Sequence, residues 1–178
     1  MKTVAFLLPV LFLYAGPSTQ SGDLHTGDRA PGFELPWASR DTISHTPLSL
    51  AEMIGRKPIV LAFYPADWSG GCTTEMCTLR DEIGTLEELG TSVYGISGDY
   101  LYSHREWARH HNLPFVLLSD HFHTVAREYG VFNEESGYAI RSVFVIDTNG
   151  VIVYIDREFR AGNEESYQTL YQAVRNLQ

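Results

Sequence analysis

The sequence predicts an α/β fold in which helices cover both faces of a central mixed β-sheet. Three observations lead to this prediction. Short apolar runs rich in β-forming residues recur along the chain, and stretches with helical spacing of apolar residues alternate with them. A hairpin turn and a final helix follow the last alternation. Strands separated by helices pair in parallel, whereas a hairpin adds an antiparallel strand, so the sheet should be mixed.

The predicted strands begin with an N-terminal β-ribbon that contains Pro36-Trp37 and Pro47-Leu48. The next run, Pro58–Tyr64, is continuously apolar, which is typical of a strand buried on both faces. Three later segments have the same character: Ser92–Ser97, Phe115–Leu118 and Ser142–Ile146. We therefore expect these strands to form the centre of the sheet.

The predicted helices lie between and after these strands. Thr73–Leu89 places apolar residues at spacings of three and four, as an amphipathic helix does. Ser103–His111 and Thr124–Tyr129 are shorter candidates, and Glu164–Leu177 is the last helix, with Asn163 as its expected cap.

A hairpin completes the predicted sheet. Thr148-Asn149-Gly150 has the composition of a tight turn and joins Ser142–Ile146 to Val151–Ile155. The whole order of elements is that of the thioredoxin-like fold, with the N-terminal β-ribbon placed before it.

The length of the chain and its net charge argue against some classes of function. The chain has 178 residues, enough for one domain with a sizeable core. Lys and Arg total 13 against 22 Asp and Glu, giving a net charge of −9. This balance argues against nucleic acid and against a basic membrane-surface domain, but it leaves small substrates open.

The N-terminus resembles a signal peptide. Lys2 precedes an apolar run from Val4 to Ala15 and a small, polar stretch, so residues 1–21 are the predicted leader and residues 27–178 the domain. The run is shorter than the roughly 20 residues of a membrane span. Cleavage predicts an exported protein, periplasmic or secreted, with no stable membrane association. An uncleaved anchor or a packed N-terminal helix, in a membrane-anchored or cytoplasmic protein, is the alternative.

The chain has only two cysteines, Cys72 and Cys77. Two are too few for a disulfide-rich scaffold or a four-cysteine zinc site. Three possibilities remain: a redox pair, a catalytic thiol with a neighbour, or two inert buried cysteines.

The candidate site is the segment from Tyr64 to Cys77, which follows a buried strand and opens a helix. Cys72 should lie in the first helical turn, where unpaired backbone N–H groups and the helix dipole favour a thiolate. Gly70 and Gly71 allow the backbone to approach a substrate closely. Ser69 can aim its hydroxyl into the same pocket, or it can cap the helix.

These residues carry a resemblance to a known family. Pro65-x3-Ser69-x2-Cys72 is similar to the active-site motif of peroxiredoxins, and Gly71–Cys77 resembles their Q-type subgroup, also called bacterioferritin comigratory proteins. Further similar blocks are Gly27–Pro36, Gly95–Trp107 and Arg141–Asp147. The resemblance covers roughly residues 27 to 178.

The resemblance implies a peroxidase of hydrogen peroxide and organic hydroperoxides that uses no cofactor and no metal. Cys72 would be the nucleophile, Ser69 and Arg141 would bind and polarise the peroxide, and Pro65 would shield the thiolate. Cys77 would resolve the resulting sulfenic acid, and a thioredoxin-like protein would supply electrons. The relatives imply a monomer or a homodimer.

Helix geometry constrains the role of Cys77. Five residues of intact helix separate two Cα atoms by about 8–9 Å, whereas a disulfide needs less than about 7 Å. A bridge between Cys72 and Cys77 therefore requires the start of the helix to unwind. In the alternative, an external thiol resolves Cys72 and Cys77 is buried and inert.

Other hypotheses stay open at this point. His110-His111 and His121-Phe122-His123 could ligate a metal, as in Sco-like copper-binding proteins on the same fold, although those carry Cys-x3-Cys. A thioredoxin-type thiol–disulfide oxidoreductase is a second alternative, but it normally carries Cys-x2-Cys, a shorter spacing than that between Cys72 and Cys77. A noncatalytic thioredoxin-like binding module is a third, but it would not need the Pro65-x3-Ser69-x2-Cys72 motif. Trp68 is either a lid or a contact for a partner, and Glu75 is expected to stabilise the helix dipole.

Overall fold

The computed structural model describes residues 23–178. The predicted signal peptide at residues 1–21 lies outside the described residues. The elements in chain order are β1 Glu34–Ala38, β2 Ile43–Ser49, α1 Leu50–Met53, β3 Ile59–Phe63, α2 Gly70–Asp81, α3 Ile83–Glu88, β4 Ser92–Ser97, α4 Leu101–His110, β5 Val116–Ser119, α5 Thr124–Glu128, β6 Phe132–Asn133, β7 Tyr138–Ala139, β8 Ser142–Ile146, β9 Ile152–Asp156 and α6 Glu164–Arg175.

The main sheet has seven strands in the order β2-β1-β5-β4-β3-β8-β9. Strand β3 pairs in parallel with β4, and β4 with β5, while β8 and β9 run antiparallel to their neighbours. The predicted mixed sheet is therefore confirmed. The N-terminal ribbon β1–β2 is not separate from it, because β1 pairs antiparallel with β5 at Trp37 and Leu118.

Hydrophobic side chains on the two faces of the sheet form two core clusters. Val60 and Ala62 of β3 face the cluster that includes residues of α2, α4 and α6, whereas Leu61 and Phe63 face the cluster that includes residues of α5. Every residue of β3 is buried. The continuous apolar run predicted exactly this two-sided burial, because a strand covered on both faces has no polar side.

The helical stretch predicted at Thr73–Leu89 forms two helices instead of one. It begins earlier, at Gly70, and breaks at Glu82, which ends α2 and precedes α3 with φ −94° and ψ 5°. Gly84 lowers the helix propensity at the break, while Leu86 of α3 still packs in the core.

The described N-terminal segment packs along the edge of the sheet. Leu24 is buried, and its carbonyl oxygen accepts a hydrogen bond from Arg157. The packed structure thus extends three residues before the predicted start at residue 27. Within residues 23–178, none of the helices has the length and apolar character needed to span a membrane.

Candidate active site

The loop between β3 and α2 carries the candidate nucleophile. Strand β3 lies in the interior of the sheet and ends at Phe63, and six residues later Ser69 precedes the first turn of α2. Cys72 lies in that turn, as the sequence predicts, and is fully buried. The free N–H groups and positive dipole end of this turn favour negative charge on its sulfur.

Arg141 contacts the Cys72 sulfur. It immediately precedes β8, and the antiparallel register pairs Ser142 with Phe63 at the end of β3, so the arginine emerges beside the start of α2. Its Nη2 lies 3.3 Å from Cys72 Sγ, and its Nη1 donates to the Glu75 carboxylate. The Arg141 guanidinium thus places a fixed positive charge against the sulfur.

Glu75 belongs to this site, which corrects the expectation that it stabilises the helix dipole. Its side chain is fully buried, Oε2 accepts from Arg141, and Oε1 has no hydrogen-bond partner among residues 23–178. Burial raises the pKa of Glu75 to about 7, against the opposing effect of the Arg141 charge. Its three-residue spacing from Cys72, which puts both on one helix face, was the available signal.

Ser69 and Pro65 lie in the loop before the helix. The Ser69 hydroxyl donates to the carbonyl oxygen of Ala66 at 3.1 Å and makes no capping bond to the helix. The alternative in which the Ser69 side chain caps the helix is therefore not adopted, although Ser69 occupies the N-cap position and its backbone carbonyl accepts from Thr73 N–H at 2.9 Å. Pro65 is half-buried.

Cys77 lies farther along α2, and both thiols are free. Its partly buried sulfur contacts the end of α4, with His111 Nδ1 at 3.7 Å. The structure therefore brings Cys72 together with Arg141 and Glu75, but it places Cys77 against a different element.

A buried polar network holds the loop, and the sequence interpretation missed it. The Asp67 carboxylate accepts from Tyr64 OH at 2.9 Å and lies 3.0 Å from His104 Nδ1. The Asp67 backbone N–H donates to Asp99 at 2.8 Å. The side chains of Asp67 and His104 are both completely buried. Because these groups are distant in sequence and individually ordinary, only the fold reveals their contact.

Trp68 covers the outer side of this loop. It has a left-handed backbone with φ 62°, its side chain is half exposed, and its indole N–H donates to Ser103 Oγ at 3.1 Å. Its ring centroid lies 5.7 Å from that of His110. This position is compatible with both roles predicted for Trp68, a lid over the loop and a contact for a partner.

Two further observations describe the surroundings of the site. Among residues 23–178, no group of three or more His, Cys, Asp or Glu side chains is arranged to hold a metal ion. A cavity of about 530 Å³ is lined by residues such as Trp37, Met53 and Tyr94, and it contains none of the candidate site residues.

Comparison with known sequences relates this chain to one family and to proteins with peroxiredoxin names. Residues 26–155 match the model of the AhpC/TSA family. A rice protein named "Peroxiredoxin Q, chloroplastic" is 41% identical over 135 residues, which are 75% of this chain and 59% of the rice protein. The match thus spans less than two thirds of that relative. "Putative peroxiredoxin bcp" of Coxiella burnetii is 38% identical over 72% of this chain and 85% of its own length.

Comparison with solved structures confirms the predicted fold. Peroxidoxin BcpB from Mycobacterium tuberculosis superimposes with a TM-score of 0.76 at 32% identity, covering 86% of this chain and 97% of that one. AhpC of Enterococcus faecalis gives a TM-score of 0.74 at 27% identity, covering 85% and 93%.

Proposed function

The chain belongs to the AhpC/TSA family, and from this premise we propose that it is a thiol-dependent peroxidase of hydrogen peroxide and organic hydroperoxides. One observation carries the proposal: the buried Cys72 sulfur in the first turn of α2, with Arg141 Nη2 at 3.3 Å. The relatives with peroxiredoxin names support it. They do not favour the alternatives of a thioredoxin-type oxidoreductase or a Sco-like copper-binding protein.

In the first step, the Cys72 thiolate attacks one peroxide oxygen and the O–O bond breaks. Cys72 becomes a sulfenic acid, and the other oxygen leaves as water or an alcohol after taking a proton. Negative charge builds on the leaving oxygen, so the Arg141 guanidinium is placed to stabilise it. Ser69 binds the peroxide and Pro65 shields the thiolate in this proposal.

In the second step, Cys77 attacks the sulfenic acid and a Cys72–Cys77 disulfide forms with release of water. The first turns of α2 unwind to bring the two sulfur atoms together. A thioredoxin-like protein then reduces the disulfide by thiol–disulfide exchange. The protein acts as a monomer or a homodimer.

We also propose that residues 1–21 direct export and are cleaved, which would place the enzyme in the periplasm or outside the cell. The composition of this segment supports the proposal: a positive residue, an apolar run and a small, polar stretch. Mass determination of the mature N-terminus tests it.

Two cysteine variants test the peroxidase proposal. With stoichiometric peroxide, the wild-type protein should lose the mass of two hydrogens and consume peroxide far faster than free cysteine. Cys77→Ser should instead gain one oxygen at Cys72, trapped by dimedone, because no resolving thiol is present. Cys72→Ser should lose peroxide consumption by a factor of at least ~10³. A Cys72→Ser protein with wild-type consumption would overturn the proposal.

A further inference from the structure

The thiol of Cys77 lies against an imidazole that the peroxidase proposal leaves unused. The geometry points to His111 as the general base of the resolving step, taking the proton from Cys77 as Cys77 attacks the sulfenic acid on Cys72. This inference rests on the proposed function, in which Cys77 is the resolving cysteine. It assigns a catalytic role to a residue outside the motif around Cys72.

The contact between the two residues joins two helices. Cys77 is on α2, His111 follows the last residue of α4, and Cys77 Sγ lies 3.7 Å from His111 Nδ1. This separation is within the range of a hydrogen bond to sulfur. Nδ1 is therefore placed to accept the thiol proton directly, without a change in the position of either helix.

Neighbouring side chains hold the imidazole in this position. Arg80, one turn beyond Cys77 on α2, donates from Nη1 to the carbonyl oxygen of His111 at 2.7 Å. The Trp107 ring packs edge-on against the imidazole, with centroids 5.9 Å apart. Because Arg80 and Cys77 belong to the same helix, the hydrogen bond from Arg80 keeps His111 in a fixed position relative to the Cys77 thiol.

The charges around His111 favour its neutral form, which is the form that can accept a proton. Burial, His110 and Arg80 all lower the pKa of His111 below its usual value of 6.5. Asp81 pairs with Arg80 on the outer side. At neutral pH the imidazole is therefore available as a base.

The step balances as a condensation. The Cys77 sulfur forms a bond to the Cys72 sulfur, the S–O bond of the sulfenic acid breaks, and the hydroxide leaves. His111 holds the proton from Cys77 and returns it so that the hydroxide departs as water. The sulfur of Cys77 is oxidised and that of Cys72 is reduced by the same amount, so no external oxidant or reductant is needed.

This assignment also determines which cysteine moves. Leu79, two residues after Cys77, is fully buried in the core, and Arg80 ties the same turn to α4. Unwinding is therefore confined to the turns before Cys77, and Cys72 travels to a Cys77 that stays against its base.

His111→Gln and its neighbour His110→Gln form a matched pair for the test. His110 is exposed and packs against Trp68, whereas His111 contacts the sulfur. After one equivalent of hydrogen peroxide, reaction is quenched at intervals, and mass spectrometry follows sulfenic acid and disulfide at Cys72 separately. In His111→Gln at pH 7, disulfide formation should slow by about 10²-fold or more, and oxidation of Cys72 should keep its rate. His110→Gln should match wild type in Cys72 oxidation, and in disulfide formation it should match at pH 8, where His111 is neutral with or without its neighbour His110.

The pH dependence gives a readout that a purely structural role would not change. Wild-type disulfide formation should be nearly constant from about pH 7 to 8, because the base is already neutral. In His111→Gln it should instead rise as the pH is raised over this interval, because solvent hydroxide must remove the thiol proton when the imidazole is absent. The variant should also accumulate sulfinic acid at lower peroxide concentration, since its sulfenic acid survives longer.

The outcomes distinguish the role assigned to His111 from the peroxidase proposal on which it rests. If Cys72 oxidises normally and His111→Gln forms the disulfide at the wild-type rate, the role of His111 is overturned and the peroxidase proposal stands. If both steps slow together in a correctly folded His111→Gln, or if both histidine variants behave alike, the assignment is likewise wrong. If Cys72 of the wild type does not react with peroxide, the proposed function itself fails.

Discussion

Arg141 contacts two partners through two nitrogens of its guanidinium, and this pairing places a positive charge beside the reactive sulfur. Nη2 faces Cys72, while Nη1 is held by a glutamate that has no access to water. A lysine, with its single ammonium group, could not span both groups in this way. The arginine is therefore oriented by Glu75 before any peroxide arrives.

The ionisation of Glu75 makes folding stability depend on pH, and Glu75→Gln measures the effect. The folded-state pKa of Glu75 is about 7 and the ordinary value is 4.5. Between these values the folded protein binds more protons than the unfolded one, so the contribution of Glu75 to stability is greatest below pH 4.5 and declines as pH rises towards 7. We expect the stability of wild type relative to Glu75→Gln to fall across this interval.

Urea unfolding of both proteins at a series of pH values checks this prediction. Glutamine keeps an oxygen that can accept from Arg141, so the comparison isolates the titration. A difference in unfolding free energy that stays constant or rises between pH 4.5 and 7 would contradict it.

At the level of residues, the sequence could predict those whose roles follow from the local motif. Cys72 was identified from the motif around it and Arg141 from the family resemblance, and the structure places them in contact. The role of Glu75 was misassigned because a glutamate near a helix start is usually a dipole partner at the surface. Only the packing of β8 against β3 brings an arginine to it.

The first turn of α2 is the element on which the site depends, and it contains two adjacent glycines with different surroundings. A Cβ at Gly71 would lie 3.1 Å from Arg141 Nη2, whereas a Cβ at Gly70 would meet nothing within 4 Å. The close approach of the guanidinium to the helix thus favours glycine at position 71 but not at position 70.

Replacing each glycine by alanine separates helix stability from site geometry. Both variants gain up to about 1 kcal/mol of helix propensity. Gly71→Ala should displace the guanidinium by a few tenths of an ångström and slow Cys72 oxidation by about 10-fold. Gly70→Ala should oxidise within about twofold of wild type, because it makes no such contact. Single-turnover oxidation rates check the pair, and equal rates for the two variants would be the opposing result.

At the level of elements, periodicity and turn composition identified the strands that build the sheet, with shifts of one or two residues at their ends. The predictions failed at two helices, for local reasons. The long helix broke at Glu82, and the short helix α1 was absent from the sequence prediction, because its four residues are too few to show a period.

At the level of the whole molecule, an N-terminal segment at residues 23–30 packs against the sheet, although its local sequence pattern did not predict this. The backbone of Gly27 donates to Ile152 at 2.8 Å, and Ile152 donates to Asp28 at 2.9 Å, while Leu24 is buried in the core. Contacts between residues more than a hundred positions apart cannot be recovered from local sequence. The contact between Asp67 and His104, which are 37 positions apart, likewise could not be predicted from local sequence. Removing one member of this buried pair would leave the charge of the other uncompensated.

Two truncations test the importance of this segment. A protein that begins at Asp23 keeps the contacts of this segment and serves as the reference. One that begins at Pro31 should lose about 3–5 kcal/mol, from the burial of Leu24 and the two backbone hydrogen bonds. Equal urea midpoints for the two truncated proteins would show that residues 23–30 contribute nothing to stability.

The same segment has a consequence for solubility. Strand β9 is the last strand of the sheet, and its outer side is a row of backbone groups that could template pairing with another chain. Residues 27–29 cover the start of that row, through the two hydrogen bonds to Ile152 and a bridge between Arg29 and Val151. Cleavage of a leader at residue 21 would leave this cover in place, whereas proteolysis eight or more residues later would expose the edge and favour aggregation.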